Sequence, residues 1–214
     1  MPGLDSNWEK KVAEKQGWGN LIRRPAPVKP QIERANKDIA VLISKLAQAE
    51  ARIRSRDEVI FKRVVSAVQS GDNEHAAVYA NELSEVRKLG TNVKTAKLAL
   101  EQVSLRLTTI TDMGDLAATL APTVAVVRGV GQGLGNLLPS AQGQIEEIGS
   151  LLSSTLVEVG TTSGTSLNFN AASDEAEKVL EEASAVAYRR MEAELPAVPS
   201  SGQGNREEDE ALTA

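Results

Sequence analysis

The strongest constraint on this chain is a run of apolar residues at helical spacing that extends from residue 32 to residue 110. In both halves of the run the apolar positions alternate steps of three and four residues, the period of a helix seam of coiled-coil type. A Gly-Asp-Asn turn at residues 71–73 separates the halves. We therefore predict an all-α fold built on one long antiparallel helical hairpin over about residues 31–111. The seam positions are Ile32, Ala35, Ile39, Leu42, Leu46, Ala49 and Ile53 in the first arm and Val86, Leu89, Val93, Ala96, Leu100, Val103, Leu107 and Ile110 in the second.

The composition suits thin helical layers and excludes several classes of protein. Only 3% of the residues are aromatic, and the chain has no cysteine, which rules out disulfides and thiolate chemistry and fits a reducing cytoplasm. No apolar run approaches the roughly 20 residues that a membrane span requires. The N-terminus lacks the apolar region of a signal peptide. We expect a cytoplasmic protein whose membrane contacts are peripheral.

Charge is divided unevenly along the chain, although the net charge is only −5. Residues 1–106 contain 19 Lys and Arg against 13 Asp and Glu, whereas residues 107–214 contain 5 against 16. The basic half can attract the acidic half, within one chain or between chains, and it can also bind phosphate. The basic residues are spread along a rod without interleaved aromatic side chains, which argues against a nucleic-acid partner.

Residues 1–30 form a basic arm that ends in a Pro-rich linker, and both tryptophans of the chain lie in it. Tryptophan beside Lys and Arg suits the headgroup region of a membrane, where an apolar ring and a polar edge are both satisfied. The alternative is that the two tryptophans dock on the hairpin. We predict membrane contact through Trp8, Lys10, Lys11, Lys15, Trp18, Arg23 and Arg24.

After the hairpin the pattern predicts shorter helices joined by flexible segments. Four alternating glycines, Gly129, Gly131, Gly133 and Gly135, do not have the spacing of a phosphate-binding loop, and no strand precedes them, so we interpret them as a hinge. A helix that begins at residue 173 has a narrow apolar stripe, which implies light and reversible docking. The predicted parts are third and fourth helices over about 113–159, which complete a core over 31–160, a flexible linker over 161–172, a C-terminal helix with a Pro motif over 173–199, and a disordered tail over 200–214.

No catalytic constellation stands out. His75 is the only histidine, and the acidic pairs Glu146-Glu147 and Glu181-Glu182 diverge from each other on a helix. The zinc and nucleophile motifs are missing from the sequence. A thin rod also offers no concave pocket that excludes water. We expect a protein that is not an enzyme and that uses no cofactor or metal.

Four phrases of the sequence are distinctive: KPQIERA at 29–35, IFKRVVSAVQ at 60–69, YANELSEVRK at 79–88 and AKLALEQV at 96–103. These whole phrases resemble the CdvB family of archaeal ESCRT-III cell-division proteins. The resemblance covers roughly residues 29–160. The order of parts is also similar, with a basic hairpin, shorter acidic helices, a linker and a Pro-containing motif near the end.

The resemblance implies a subunit that polymerises, with copies of itself and with paralogous ESCRT-III subunits, on the inner face of the cell membrane at the division site. Such filaments bind anionic lipids, constrict the division neck and are remodelled by the AAA+ ATPase CdvC. In that family the later helices fold back on the hairpin in a closed form or extend in a polymer. The Pro motif binds the MIT domain of the ATPase, and here Leu195, Pro196, Val198 and Pro199 resemble that motif.

One feature departs from the family, and two other functional classes remain open. Some members carry a C-terminal winged-helix segment that recruits CdvA. The acidic tail of this chain leaves no room for such a segment, which puts direct CdvA binding in doubt. A coiled-coil scaffold that never contacts lipid, and a membrane-stress protein of the phage-shock type without a division role, would share the hairpin.

Overall fold

The computed structural model describes residues 28–110, 116–135, 137–163 and 169–199. Within these ranges the chain forms five helices and no strand, so the predicted all-α fold with a long hairpin and shorter helices is confirmed. The helices are α1 (Val28–Gln69), α2 (Asn73–Thr108), α3 (Leu116–Leu134), α4 (Pro139–Ser163) and α5 (Phe169–Glu194).

Helices α1 and α2 are the two arms of the hairpin, 42 and 36 residues long. Gly71, with φ of 72°, makes the reversal between them, and the Asp72 carboxylate caps α2 by accepting a hydrogen bond from the backbone N–H of His75. Most predicted seam residues are buried, and each large one contributes about 1.5–3 kcal/mol relative to exposure. The buried seam residues are Ile32, Ala35, Ile39, Leu42 and Leu46 on α1 and Val86, Val93, Ala96, Leu100, Val103 and Leu107 on α2.

The first arm begins earlier than the sequence pattern indicated. Val28, Lys29 and Pro30 belong to the first turn of α1, although we assigned them to the extended Pro-rich linker. A proline fits there because the N–H groups of a first helical turn have no intrahelical acceptor to lose. The helical core therefore includes the last three residues of the predicted arm. Residues 1–27 and the predicted tail over 200–214 lie outside the described part of the chain.

Helix α4 holds the base of the hairpin by packing on α1 and on α3. The Thr155 hydroxyl, which is fully buried, donates a hydrogen bond to Gln31 Oε1 at 2.8 Å. Farther along the same contact, Lys45 Nζ donates to Gln144 Oε1 at 2.7 Å. Helix α3 packs against α2, so α3 and α4 together cover both arms near their base.

The helices on either side of the predicted linker are longer than expected. Helix α4 continues to Ser163 and α5 begins at Phe169, so both enter the range 161–172 that we assigned to a flexible linker. Tertiary packing explains the extension, because Val159 near the end of α4 and Ala172 near the start of α5 are both buried in the main core. Helix α3 likewise runs through Pro122 without a restart.

Candidate docking site for the C-terminal segment

Helix α5 lies along the hairpin from its base toward its tip, in contact with α2 and α3. Arg106 of α2 pairs with Glu175 near the start of α5, and Lys94 of α2 pairs with Glu194 at its end. The buried stripe of α5 is narrow, as the sequence indicated, and it consists mainly of alanine: Ala172, Ala176, Val179, Ala183 and Ala187. Alanine buries little area, so each alanine of this stripe contributes less than a leucine or isoleucine of the hairpin seam.

A buried ammonium group lies where the end of α5 meets the hairpin. The Lys94 side chain is only 5% exposed, and its Nζ lies 2.9 Å from Glu194 of α5 and 3.5 Å from Glu50 of α1. Glu50 also accepts a hydrogen bond from Lys97 at 2.9 Å. A buried charge is tolerated when it is paired and hydrogen-bonded. Lys94 therefore connects all three helices, and departure of α5 removes one of its two carboxylate partners.

We expect docking of α5 to weaken in acid because of Glu194. The hydrogen bond from Lys94 is the main cause that lowers the pKa of Glu194 below its ordinary value of 4.5, with smaller contributions from Arg54 and Arg190. A carboxyl with a lowered pKa stabilises the docked form fully above pH 4.5, and that contribution is lost as the pH falls through the lowered value. Hydrogen exchange of the α5 amides, measured from pH 6 to pH 3, should show the release. In Glu194→Gln the pH dependence should be smaller, and an unchanged dependence would contradict this assignment.

Arg87 of α2 holds the residues that follow α5, which we call the C-terminal segment (residues 195–199). Its Nε donates to Asp57 of α1 at 2.8 Å, and its Nη2 donates to the Pro196 carbonyl oxygen at 3.0 Å. The Asp57 side chain is only 3% exposed, so this ion pair lies inside the hairpin. Arg87 thus joins the two arms and at the same time binds the backbone of the segment.

A cleft of about 250 Å³ lies where the end of α5 crosses the hairpin. Ile53 and Val86 form apolar parts of its lining, and Met191 and Leu195 come from the C-terminal side. We predicted that a thin rod would offer no concave pocket, and that prediction is wrong at this cleft. The docked α5 closes one side of a groove between the two arms. The cleft places Leu195 against the hairpin.

The predicted ATPase-binding residues are only partly covered by this docking. Leu195 and Pro199 are half-buried, whereas Pro196 and Val198 are exposed. Their role in binding an MIT domain stays a prediction. Sequence reasoning missed the residues that hold them, namely Asp57, Arg87 and Lys94. One signal was available, since Asp57 falls between Ile53 and Ile60 on the seam stripe of α1, where a carboxylate needs a buried partner.

The four glycines of the predicted hinge do not form a single bend. Gly129, Gly131 and Gly133 lie within α3, which ends at Leu134. Of the four glycines, Gly135 alone lies beyond the end of α3, and its N–H donates to the Gly131 carbonyl oxygen at 2.9 Å. Helix packing keeps the first three glycines helical despite a cost of about 1 kcal/mol each relative to alanine. A hinge motion at these positions stays a prediction.

The outward side of α1 carries an exposed basic surface, which we call the outer face of α1. From Lys37 to Ser66 this side contains no Asp or Glu, and its residues are all exposed. Within the described residues, Lys37, Arg52, Lys62 and Arg63 form no ion pair there. The face consists of Lys37, Val41, Ser44, Gln48, Arg52, Ser55, Val59, Lys62, Arg63 and Ser66.

The residues predicted to contact the membrane lie outside the described part of the chain. These are Trp8, Lys10, Lys11, Lys15, Trp18, Arg23 and Arg24. Among the described residues, no helix is both long enough and apolar enough to cross a bilayer. The same residues contain no group of three or more His, Cys, Asp or Glu side chains placed to hold a metal ion.

Comparison with known proteins gives two informative similarities. The chain is 39% identical over 176 residues to Cell division protein B1 of Sulfolobus acidocaldarius, and the alignment covers 82% of each chain. It is 28% identical over 155 residues to Cell division protein B of the same organism, which covers 72% of this chain and 59% of that protein. No family model matches the chain. No solved structure gives a significant match.

Proposed function

The chain belongs to the CdvB family of archaeal cell-division proteins, and from this premise we propose that it is a filament-forming ESCRT-III subunit. It polymerises with itself and with paralogous subunits on the cytoplasmic, inner face of the cell membrane at the division site, and takes part in constriction and scission there. The AAA+ ATPase CdvC remodels the filament through its MIT domain. In this role the protein binds no nucleic acid or cofactor and catalyses no reaction, and the role does not require direct binding of CdvA.

The observation that carries the membrane part of this proposal is the outer face of α1. Its basic residues extend over most of the arm, and Val41 and Val59 between them are 44% and 49% exposed. Each basic residue near an anionic surface contributes on the order of 1 kcal/mol. Small apolar side chains between the charges allow the helix to lie close to the headgroups. A long rod with one side free of Asp and Glu is better suited to bind a flat anionic surface than to bind a small partner.

The docked α5 supports the filament part of the proposal. Helix α5 covers one side of the hairpin and places acidic residues such as Glu175 and Glu194 on basic partners of α2. In the assembled form α5 leaves, and the groove along α2 becomes free for a neighbouring subunit. Because the stripe of α5 is rich in alanine, little apolar area becomes exposed when α5 leaves, and the free-energy cost of its release is small.

Electron microscopy of the purified protein tests the proposal directly. The protein is incubated with vesicles of anionic lipid and with neutral vesicles, and the ATPase with ATP is then added. We expect filaments on the anionic vesicles only, and their disassembly by the ATPase. A coiled-coil scaffold would leave both kinds of vesicle bare. A membrane-stress protein would bind the vesicles but would show no response to the ATPase.

We predict that Leu195→Asp weakens binding to the ATPase by at least tenfold while filaments still form. A leucine that enters an apolar groove of a partner contributes about 1.5–3 kcal/mol, and 1.4 kcal/mol corresponds to tenfold in affinity. The same substitution places a charge in the cleft and so favours release of the C-terminal segment. If release alone controlled access, Leu195→Asp would bind the ATPase more tightly. The direction of the change therefore separates recognition of Leu195 from simple exposure.

The affinity is measured with the isolated MIT domain by calorimetry, and filaments are counted by microscopy. Val157→Asp is the matched control, since Val157 is 62% exposed on α4 and lies outside the cleft. We expect the control to bind as the wild type does. Equal affinities for Leu195→Asp and the wild type would remove Leu195 from the proposed ATPase site.

A further inference from the structure

Two glycines of the other helices lie beneath long apolar side chains of α5, namely Leu180 and Met191. A Cβ atom at Gly129 of α3 would lie 2.6 Å from Leu180 Cδ1, and its three nearest atoms would all belong to Leu180. A Cβ atom at Gly90 of α2 would lie 3.0 Å from Met191 Cε and 3.3 Å from Ile53 Cγ2. Each glycine therefore leaves space that a side chain of α5 fills.

The other inward residues of α5 have small side chains, so the contacts of Leu180 and Met191 are important for its docking. Apart from Val179, the fully buried members of the stripe are alanines. Leu180 and Met191 are about three helical turns apart, so they point to the same side of α5. They act as two anchors, one near the base of the hairpin and one in the cleft beside Lys94 and Glu194.

A glycine inside a helix is less favourable than alanine there. Gly90 lies in the middle of α2, where alanine would favour the long hairpin arm. Gly133 and Gly143 show the contrast, since a Cβ atom at either position would meet nothing within 4 Å. When α5 is released, Leu180 no longer fills the space beside Gly129 in which a Cβ atom would lie.

We propose that Gly129 and Gly90 are receiving sites for Leu180 and Met191, and that the absence of side chains at these two positions sets the balance between docked and released α5. Larger residues there expel α5 and leave the helix that carries them intact. The inference deepens the proposed function in one respect, since it predicts that the released molecules assemble more readily.

The test uses the full chain with Gly129→Leu, because leucine is a good helix former and fills the space that Leu180 occupies. Gly133→Leu is the matched control in the same helix, at an exposed position. Leu180→Ala, combined with Gly129→Leu, exchanges the large and the small residue across the contact. Gly90→Leu with and without Met191→Ala repeats the design at the second site.

Release of α5 is measured in two ways. Hydrogen exchange reports the opening of α5 amides relative to those of α2. Because the chain has no cysteine, labels at Ser55→Cys and Ser184→Cys report the distance between the exposed sides of α1 and α5. Circular dichroism and thermal unfolding verify that each variant is folded.

We expect α5 amides to exchange at least tenfold faster in Gly129→Leu, with the distance between the labels increased, and to exchange at the wild-type rate in Gly133→Leu. The double variant with Leu180→Ala should recover at least half of the change on a logarithmic scale. Equal exchange in Gly129→Leu and Gly133→Leu would overturn the proposal. So would a double variant that exchanges as fast as Gly129→Leu alone.

Assembly on anionic vesicles is measured separately by co-sedimentation. Faster exchange together with greater sedimentation supports both the receiving sites and the proposed function. Faster exchange without any vesicle-bound polymer leaves the receiving sites established and counts against the filament function. The two ideas therefore fail in different measurements.

Discussion

Replacing Arg87 with alanine should lower the free energy of unfolding by about 3 kcal/mol, because it leaves the Asp57 carboxylate buried without its cation. The Asp57 side chain is 3% exposed and lies 2.8 Å from Arg87 Nε. Removing one member of a buried ion pair costs far more than the pair contributes, since the remaining charge has lost its water and its partner. The loss falls on the hairpin itself, where Asp57 occupies a seam position of α1.

Urea unfolding of the full chain, followed by circular dichroism, measures this loss. Arg56→Ala is the matched control, because Arg56 pairs with Glu82 across the same two helices but the two side chains are 66% and 38% exposed. We expect the control to change the free energy of unfolding by less than about 1 kcal/mol. Replacing both charges of the pair, as Asp57→Leu with Arg87→Met, should recover most of the loss. A double variant as unstable as Arg87→Ala would mean that the ion pair is not the cause.

Arg87→Ala also removes the hydrogen bond to the Pro196 carbonyl oxygen. Release of the C-terminal segment should therefore accompany the loss of stability, although the two effects have different origins. Hydrogen exchange at residues 195, 197 and 198 reports release of the segment, and the unfolding midpoint reports the loss of stability. In the double variant with Asp57→Leu, stability should return while the segment stays released.

Reversing three charges on the outer face of α1 should reduce binding to anionic vesicles by at least a hundredfold. The variant combines Arg52→Glu, Lys62→Glu and Arg63→Glu, none of which breaks an ion pair among the described residues. Removing three basic residues loses about 3 kcal/mol of attraction, and the new carboxylates add repulsion. Since 1.4 kcal/mol is tenfold in affinity, the expected change exceeds a hundredfold.

The control variant changes the net charge by the same amount on another surface, with Lys178→Glu, Arg189→Glu and Arg190→Glu on α5. Vesicle co-sedimentation at physiological ionic strength compares the two variants, and a second series at higher salt should weaken the wild type, since salt screens exposed charges. Equal loss of binding in both variants would show that net charge, and not the outer face of α1, controls membrane binding.

The residue pattern determined most of the fold before any tertiary information was needed. The three-four alternation from Ile32 to Ile53 and from Val86 to Ile110 predicts the two arms, since each stripe is too regular and too long to be anything but a helix seam. The Gly-Asp-Asn turn predicts where the chain reverses. Four sequence phrases point to the family to which the chain belongs.

Local pattern did not determine where the helices end. Helix α1 begins at Val28 inside a Pro-rich stretch, and α3 continues through Gly129 and Gly133. In both cases local propensity favours another conformation, and packing of the surrounding helix outweighs a preference of about 1 kcal/mol per residue.

Only the tertiary structure decided the candidate site. Asp57 and Arg87 are 30 residues apart in sequence, and Lys94 and Glu194 are 100 apart, so no local spacing relates them. Their pairing depends on the register of α1 against α2 and on the path of α5 across the hairpin. Sequence periodicity indicates which side of a helix is buried, because buried positions repeat with each helical turn. It does not indicate which residue of another helix lies opposite, because that depends on how the complete set of helices packs.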